Sequence, residues 1–235
     1  SDKNQINNLN LFSKSPGDTA VIFIGELPTI KNISYDEFDF AKKINTKLQR
    51  YNITGCVNFY YVKANIDKIK INSSSCEDGI NVISSKIEFN NIEINRTISD
   101  GIDMDFSKVK IKNITSSGSD GDCVDLSFGN YIFKNIKVKD CYDKGVSIGE
   151  NSTVFLGNVE ISQNNIGIAI KDSSFAEIKS INTDTDNNTC LSLYNKKPEF
   201  NDGKLFYENI DKKCLENSQF SNKSIIKKAK INEKN

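Results

Sequence analysis

The chain has 235 residues, and 31 Lys and Arg balance 31 Asp and Glu, so a net charge of zero argues against general nucleic-acid binding or a polybasic membrane contact. It contains no His, no Trp, one Met and six Cys, which excludes Ser-His and Cys-His nucleophile pairs and every His-ligated metal. Apolar residues make up 37 % of the chain, and no run approaches the ~18 consecutive apolar residues of a membrane span.

Residues 15 to 31 hold one strand-like run, Thr19 to Leu27, between Pro16-Gly17 and Pro28. Residues 36 to 49 fit a short amphipathic helix with Phe38, Ala41, Ile44 and Leu48 on one face. The end units of a repeat array need atypical sequences to cover their apolar surface, so 1–50 reads as an N-terminal cap or irregular first coil.

From 51 to 195 the chain repeats. Small residues recur at Cys56, Gly79, Gly101, Cys123, Gly145, Gly167 and Cys190, at spacings of 23, 22, 22, 22, 22 and 23. Two wholly apolar columns follow: Val57, Ile80, Ile102, Val124, Val146, Ile168, Leu191, and then Phe59, Val82, Met104, Leu126, Ile148, Ile170, Leu193. Between them lies the column Asn58, Asn81, Asp103, Asp125, Ser147, Ala169, Ser192. Strict period-two alternation of this kind describes strands with one buried face. A further column of Asn65, Asn91, Asn113, Asn135 and Asn158, ending at Ser180, predicts an internal ladder of amides, each of which donates and accepts at once. A ~22-residue unit of short strands with no helical period is a parallel β-solenoid, in which stacking buries a core no single coil could. About seven coils are expected, and 196–235 is assigned to a C-terminal cap and a Lys-rich tail.

These columns, over roughly 50 to 195, resemble the right-handed parallel β-helices of the pectate-lyase-like superfamily, which use such Asn ladders. More narrowly, Ser99–Phe106, Asp143–Glu150 and Ile166–Asp172 look like β-helix segments of bacterial surface-associated proteins. The resemblance implies a fold and leaves the chemistry open, because this architecture hosts lyases, hydrolases, epimerases, adhesins and inert scaffolds. The Gly-His-Gly, Asp-Asp and Arg-Ile-Lys motifs of the polygalacturonase-like hydrolases are absent, as is the Asp-Pro-His-Glu of the mannuronan epimerases. Pectate lyases pair calcium-binding acids with an Arg base, and Arg96, in the turn before Asp100, is the candidate here.

Cys56, Cys123 and Cys190 share a column three rungs apart, about 14 Å, and so cannot pair with one another. Cys76, Cys141 and Cys214 fall in turns or the tail with no fixed partner, and the expectation is of free thiols with at most one bridge.

One constellation has chemical potential. Asp103 and Asp125 are neighbours on successive rungs, and Asp105 lies two residues along the same face. Asp78, Asp100 and Asp122 form a second column that Lys144 continues. Asp103, Asp105 and Asp125, with Arg96, are the catalytic candidates if the chain is an enzyme; Asn81, Asp100, Asp122 and Lys144 are the substrate-binding candidates. Three readings stay open: a solvated face, a calcium site formed by Asp103, Asp105 and Asp125, or a carboxylate pair that cleaves a glycosidic bond. No cofactor beyond calcium is implied. The leading expectation is a rigid module of a larger bacterial cell-envelope or secreted protein, binding or scaffolding a polysaccharide or protein partner; unpaired thiols would also allow a cytoplasmic location. The alternative is a polysaccharide lyase, hydrolase or epimerase.

Overall fold

The computed structural model describes residues 5–13, 21–37, 53–183 and 187–232. The predicted helix over 36–49 falls almost entirely outside those residues. Among the described residues eighteen strands stack, each parallel to its neighbours, giving a β-solenoid of about nine turns rather than seven.

The extra turns come from the ends. β1 (Gln5–Ser13) pairs with β3 (Thr29–Glu37), and β2 (Val21–Glu26) pairs with the start of β4 (Gly55–Ile71). β3 then pairs with the far half of β4, so the parallel stack begins well before residue 51. Phe23 stacks on Phe59 with centroids 5.0 Å apart, extending the aromatic position of β4 one rung further. Beyond β4, six-residue or shorter strands alternate with longer, bent ones. The short set is β5 (Asp78–Ile83), β7 (Asp100–Asp105), β9 (Val124–Ser127), β11 (Lys144–Gly149), β13 (Ile166–Lys171) and β15 (Thr189–Tyr194). The long set is β6 (Lys86–Thr97), β8 (Lys108–Ser119), β10 (Asn130–Lys139), β12 (Thr153–Ser162), β14 (Phe175–Thr183) and β16 (Lys204–Ile210). A five-residue helix, α1 (Lys212–Glu216), precedes β17 (Gln219–Phe220) and β18 (Ile225–Lys228). Among the described residues no helix is long and apolar enough to cross a membrane.

Both predicted apolar columns are in register and buried to within 1 % exposure, so each coil covers the next over the whole stack. The small-residue column has a steric cause. A Cβ on Gly79, Gly101, Gly145 or Gly167 would stand 2.6–2.7 Å from the carbonyl oxygen of the adjoining coil. Cysteine breaks that column every third coil because its side chain is tied down. Cys56–Cys76, Cys123–Cys141 and Cys190–Cys214 are disulfides with Cα–Cα distances of 5.2–5.6 Å. The expectation of free thiols is therefore wrong. Each column cysteine reaches not along its column but to the far end of its own coil, 18–24 residues later, and staples that coil shut.

The Asn ladder forms, with two corrections. Asn113, Asn135 and Asn158 each donate from Nδ2 to Oδ1 of the preceding rung at 2.9–3.0 Å, and the Ser180 hydroxyl donates to Asn158. Asn65 is not a member: it pairs with Glu88, and Lys68 stands opposite Asn91. Nor is the ladder internal; its members are half-buried to exposed, lying on the outside of the bend in each long strand. Asn still suits that bend, because an exposed in-register column needs a side chain that bonds to its own kind.

A second, buried ladder was not anticipated. The hydroxyls of Ser85, Ser107 and Ser152 donate to Phe59, Val82 and Leu126 carbonyls, and accept from backbone N–H groups one coil below. The rung between has Gly129. There the hydroxyl of Tyr131, 1 % exposed, enters from two residues away and donates to Met104 O at 2.7 Å and to Ser127 O at 3.0 Å. A Cβ at 129 would lie 2.3 Å from that hydroxyl, so the glycine and the tyrosine are one adaptation.

Two stability predictions follow from these features. Tyr131→Phe leaves the Met104 carbonyl without its donor and should cost about 1–2 kcal/mol in denaturant unfolding. Replacing Cys123 and Cys141 together by Ala opens an 18-residue loop and should cost about 3 kcal/mol in denaturant unfolding.

Candidate functional site

The predicted carboxylate face exists as read. β5, β7 and β9 place Asp78 opposite Asp100, Asn81 opposite Asp103, and Asp103 opposite Asp125. Asp105 stands opposite Ser127, in the column that runs from Tyr60 through Ile83 to Lys171 and Tyr194. Its neighbours differ from a solvated face, however. Asp78 is 3 % exposed, Asp122 6 % and Asn81 2 %, whereas Asp103, Asp105 and Asp125 remain partly open.

Burial and mutual repulsion set the electrostatics. Loss of hydration raises Asp103 most, to about 9, with the charges of Asp78, Asp105 and Asp125 adding to it. Asp78 and Asp100 rise to about 7 and Asp105 to about 6, each chiefly through burial. Asp122 rises to about 6 through burial, held back by the ammonium of Lys144. That lysine is itself 7 % exposed and donates to Asp122 at 3.2 Å and to Asp143. Burial alone would lower the Lys144 pKa; the two carboxylates outweigh it and raise it.

The backbone also absorbs charge in the turn column. Asp122 N–H donates to Asp100 at 2.7 Å and Lys144 N–H to Asp122 at 2.9 Å, so each acid caps the coil above it. The Nδ2 of Asn81 donates to both Asp78 and Asp103, at 3.3 and 3.2 Å. A cation absent from the sequence reading is Lys171. It reaches back two rungs, donates to Ser147 at 2.9 Å and lies 3.8 Å from Asp125. Its place in the Tyr60–Tyr194 column was the available signal. Glu150 closes the same side, accepting from Ser127 and pairing with Lys197 at 2.6 Å.

Among the described residues no group of three or more Asp, Glu or Cys side chains is placed to hold a metal ion. Asp103 and Asp105 share one rung with Asp125 on the next, all on one face, whereas a hard cation needs oxygens on several sides. Arg96 lies elsewhere on the coil. It occupies a left-handed corner (φ 63°) and lines a polar groove of about 1060 Å³ with Gly118, Asp120, Asp140 and Tyr142.

The sequence reading missed an aromatic ledge that borders the acids. Positive φ marks one corner of successive coils: Tyr61 (53°) within β4, then Ser84 (49°), Phe106 (50°) and Phe128 (49°) directly after β5, β7 and β9. Phe106 and Phe128 stack at 4.8 Å and within 5° of parallel, and Tyr61 is 70 % exposed. The repeat spacing could have shown it, because these positions fall five residues after the small-residue column.

Chemically, the face offers a cluster of carboxyls whose affinity for a proton is raised, that of Asp103 most, with the Asn81 amide at one end and the Lys144 ammonium at the other. A neutral carboxyl donates and accepts, and suits hydroxyl-rich ligands. Comparison with protein-family models, curated proteins and solved structures finds no match for the chain.

The raised carboxyls fix the sign of a pH effect. A carboxyl with a higher pKa folded than unfolded favours the fold at low pH and loses that advantage as pH climbs from about 4 through the folded value. Stability should therefore fall between about pH 4 and pH 9. Asp103→Asn should flatten the upper part of that fall and raise stability at pH 8 by roughly 1–3 kcal/mol, allowing for partial exposure. Unfolding curves at pH 5 and pH 8 check this; a parent protein more stable at pH 8 would contradict it.

Proposed function

We propose that the chain is a rigid β-helical module that binds a polysaccharide along its coil stack, as part of a larger bacterial cell-envelope or secreted protein of pectate-lyase-like architecture. The observation that carries this reading is the partly open row of Asp103, Asp105 and Asp125 beside the ledge of Phe106 and Phe128. Hydrogen-bonding carboxyls next to apolar ring surface match the two kinds of surface a sugar presents. Asp103 and Asp105 lie on one rung and Asp125 on the next, on a parallel face that continues along the stacked strands to either side, which favours an extended polymer over a small molecule. A net charge of zero speaks against nucleic acid. Three disulfides support an oxidising compartment, and with the thiols paired the argument for a cytoplasmic location is gone.

A second reading has one specific observation in its favour. Asp103 and Asp125 face each other on adjacent rungs, about 5 Å apart by strand spacing, the separation of a retaining glycosidase pair. Asp103, its proton affinity raised, would be the acid and Asp125, touched by Lys171, the nucleophile.

Affinity electrophoresis through gels loaded with individual polysaccharides, alongside a reducing-end release assay on the same polymers, tests both. Retardation without release, weakened tenfold or more in Asp103→Ala/Asp125→Ala, is the expected result. Release that disappears in Asp103→Asn and in Asp125→Asn separately would establish the enzyme instead.

A further inference from the structure

The aromatic ledge has a gap one rung wide. Phe106 and Phe128 stack on each other at the rung spacing, which leaves no room between them. Phe200, 6.2 Å from Phe128, bounds that end. On the other side Phe106 faces the rung of Ser84, and the next aromatic, Tyr61, stands one rung beyond. Tyr61 and Phe106 are thus two rungs, about 10 Å, apart across a serine. They line a groove of about 410 Å³ together with Ser84, Lys63, Lys86 and Lys108.

The width selects the shape of an occupant. Carbon contacts are optimal at 3.5–4.0 Å, so a flat ring held between two aromatics needs about 7–8 Å, and a puckered ring with hydrogens on both faces needs about 9–10 Å. The gap suits a pyranose better than a nucleic-acid base. The lysines select its charge. Lys63, Lys86 and Lys108 form one in-register column beside the gap. Lys63 pairs with Glu26, but Lys86 and Lys108 have no ion-pair partner among the described residues.

The rings are also held at an energetic disadvantage. A left-handed corner is cheapest for Gly or Asn, and a bulky side chain there is strained. Yet Tyr61, Phe106 and Phe128 occupy such corners, 70 %, 59 % and 41 % exposed, where they contribute little to the core. The solenoid does not require them, since Ser84 fills the same corner.

We infer that the slot between Tyr61 and Phe106 is a subsite that sandwiches one pyranose ring of a polysaccharide, with Lys86 and Lys108 pairing to an acidic substituent on it. This deepens the polysaccharide-binding reading and rests on it, but places the ring at the corner rather than on the carboxylate face. The acidic group can be a carboxylate or a sulfate ester, which share the same recognition chemistry.

Affinity electrophoresis of the full chain against hyaluronan (carboxylate), dextran sulfate (sulfate ester), uncharged dextran and a single-stranded oligothymidylate reads the inference directly. At least one of the first two should retard the chain more than dextran does, and which one does so names the substituent. Tyr61→Ala and Phe106→Ala should each weaken that retardation about three- to tenfold. Ser84→Tyr, which fills the gap, should weaken it at least as much, and Lys86→Gln/Lys108→Gln should remove the preference for charged polymer. Melting curves confirm that these exposed-corner variants fold. Retardation indifferent to Tyr61, Ser84 and Phe106, retardation by neither hyaluronan nor dextran sulfate beyond that by dextran, or tighter binding of oligothymidylate through the slot would each overturn the inference. Retardation that ignores the slot but is lost in Asp103→Ala/Asp125→Ala would remove the slot and leave the module reading standing; no retardation by any polysaccharide would remove both.

Discussion

Parallel, in-register stacking governs everything else in this molecule. Each side chain lies about 4.8 Å from its counterpart one coil away, so the chain is a set of columns in which every residue must tolerate its own kind as a neighbour. Ile on Ile satisfies that rule by packing, and Asn on Asn by exchanging hydrogen bonds, as Asn113, Asn135 and Asn158 do. Asp on Asp does not. Asp78, Asp100, Asp103, Asp105, Asp122 and Asp125 are tolerated because burial and proximity raise the proton affinity of Asp103, Lys144 is drawn in beside Asp122, Lys171 approaches Asp125, and backbone N–H groups bond to Asp100 and Asp122.

The same constraint explains the compensations. A missing member of a buried column leaves a backbone carbonyl unpaired on the next coil, which costs more than the column gains from uniformity. The Gly129 rung meets this with a hydroxyl borrowed from Tyr131. At Ser116 the apolar column that runs through Ile71, Ile94 and Val138 is broken without such an answer, and the Ser116 hydroxyl is buried without a partner.

The fold was legible because the period is constant. Seven small residues at spacings of 22 or 23 place the apolar and carboxylate columns correctly, and the observed strand register agrees with every pairing among Asp78, Asp100, Asn81, Asp103 and Asp125. What was misread departs from that period or runs across it. Asn65 lies nine residues after its small residue, whereas Asn91, Asn113 and Asn135 lie twelve after theirs, and Lys68 holds the equivalent place. Asn158 lies thirteen after Gly145 because the corner there has two left-handed residues, Glu150 and Asn151, in place of one. The disulfides were missed because they join opposite ends of a coil, while the columns report only on neighbours between coils. The partners at the open end of the carboxylate face were not legible, since Lys171, Glu150 and Lys197 approach it from positions that no single repeat contains.

Columns also separate the positions that stacking dictates from those it leaves free. A position that serves the stack alone keeps one chemical type from end to end, as the two apolar columns do through seven coils. The column between them does not: it runs Asn, Asn, Asp, Asp, Ser, Ala, Ser, buried except at Asp103 and Asp125, and the corner column runs Tyr, Ser, Phe, Phe, Glu, Asp. The acids and the exposed rings change type at the same coils, with Asp105 preceding Phe106 and Asp125 lying on the rung of Phe128. Stacking rewards neither clustered carboxyls nor aromatic rings at strained corners, and their coincidence on two adjacent rungs is what supports the proposed ligand-binding surface.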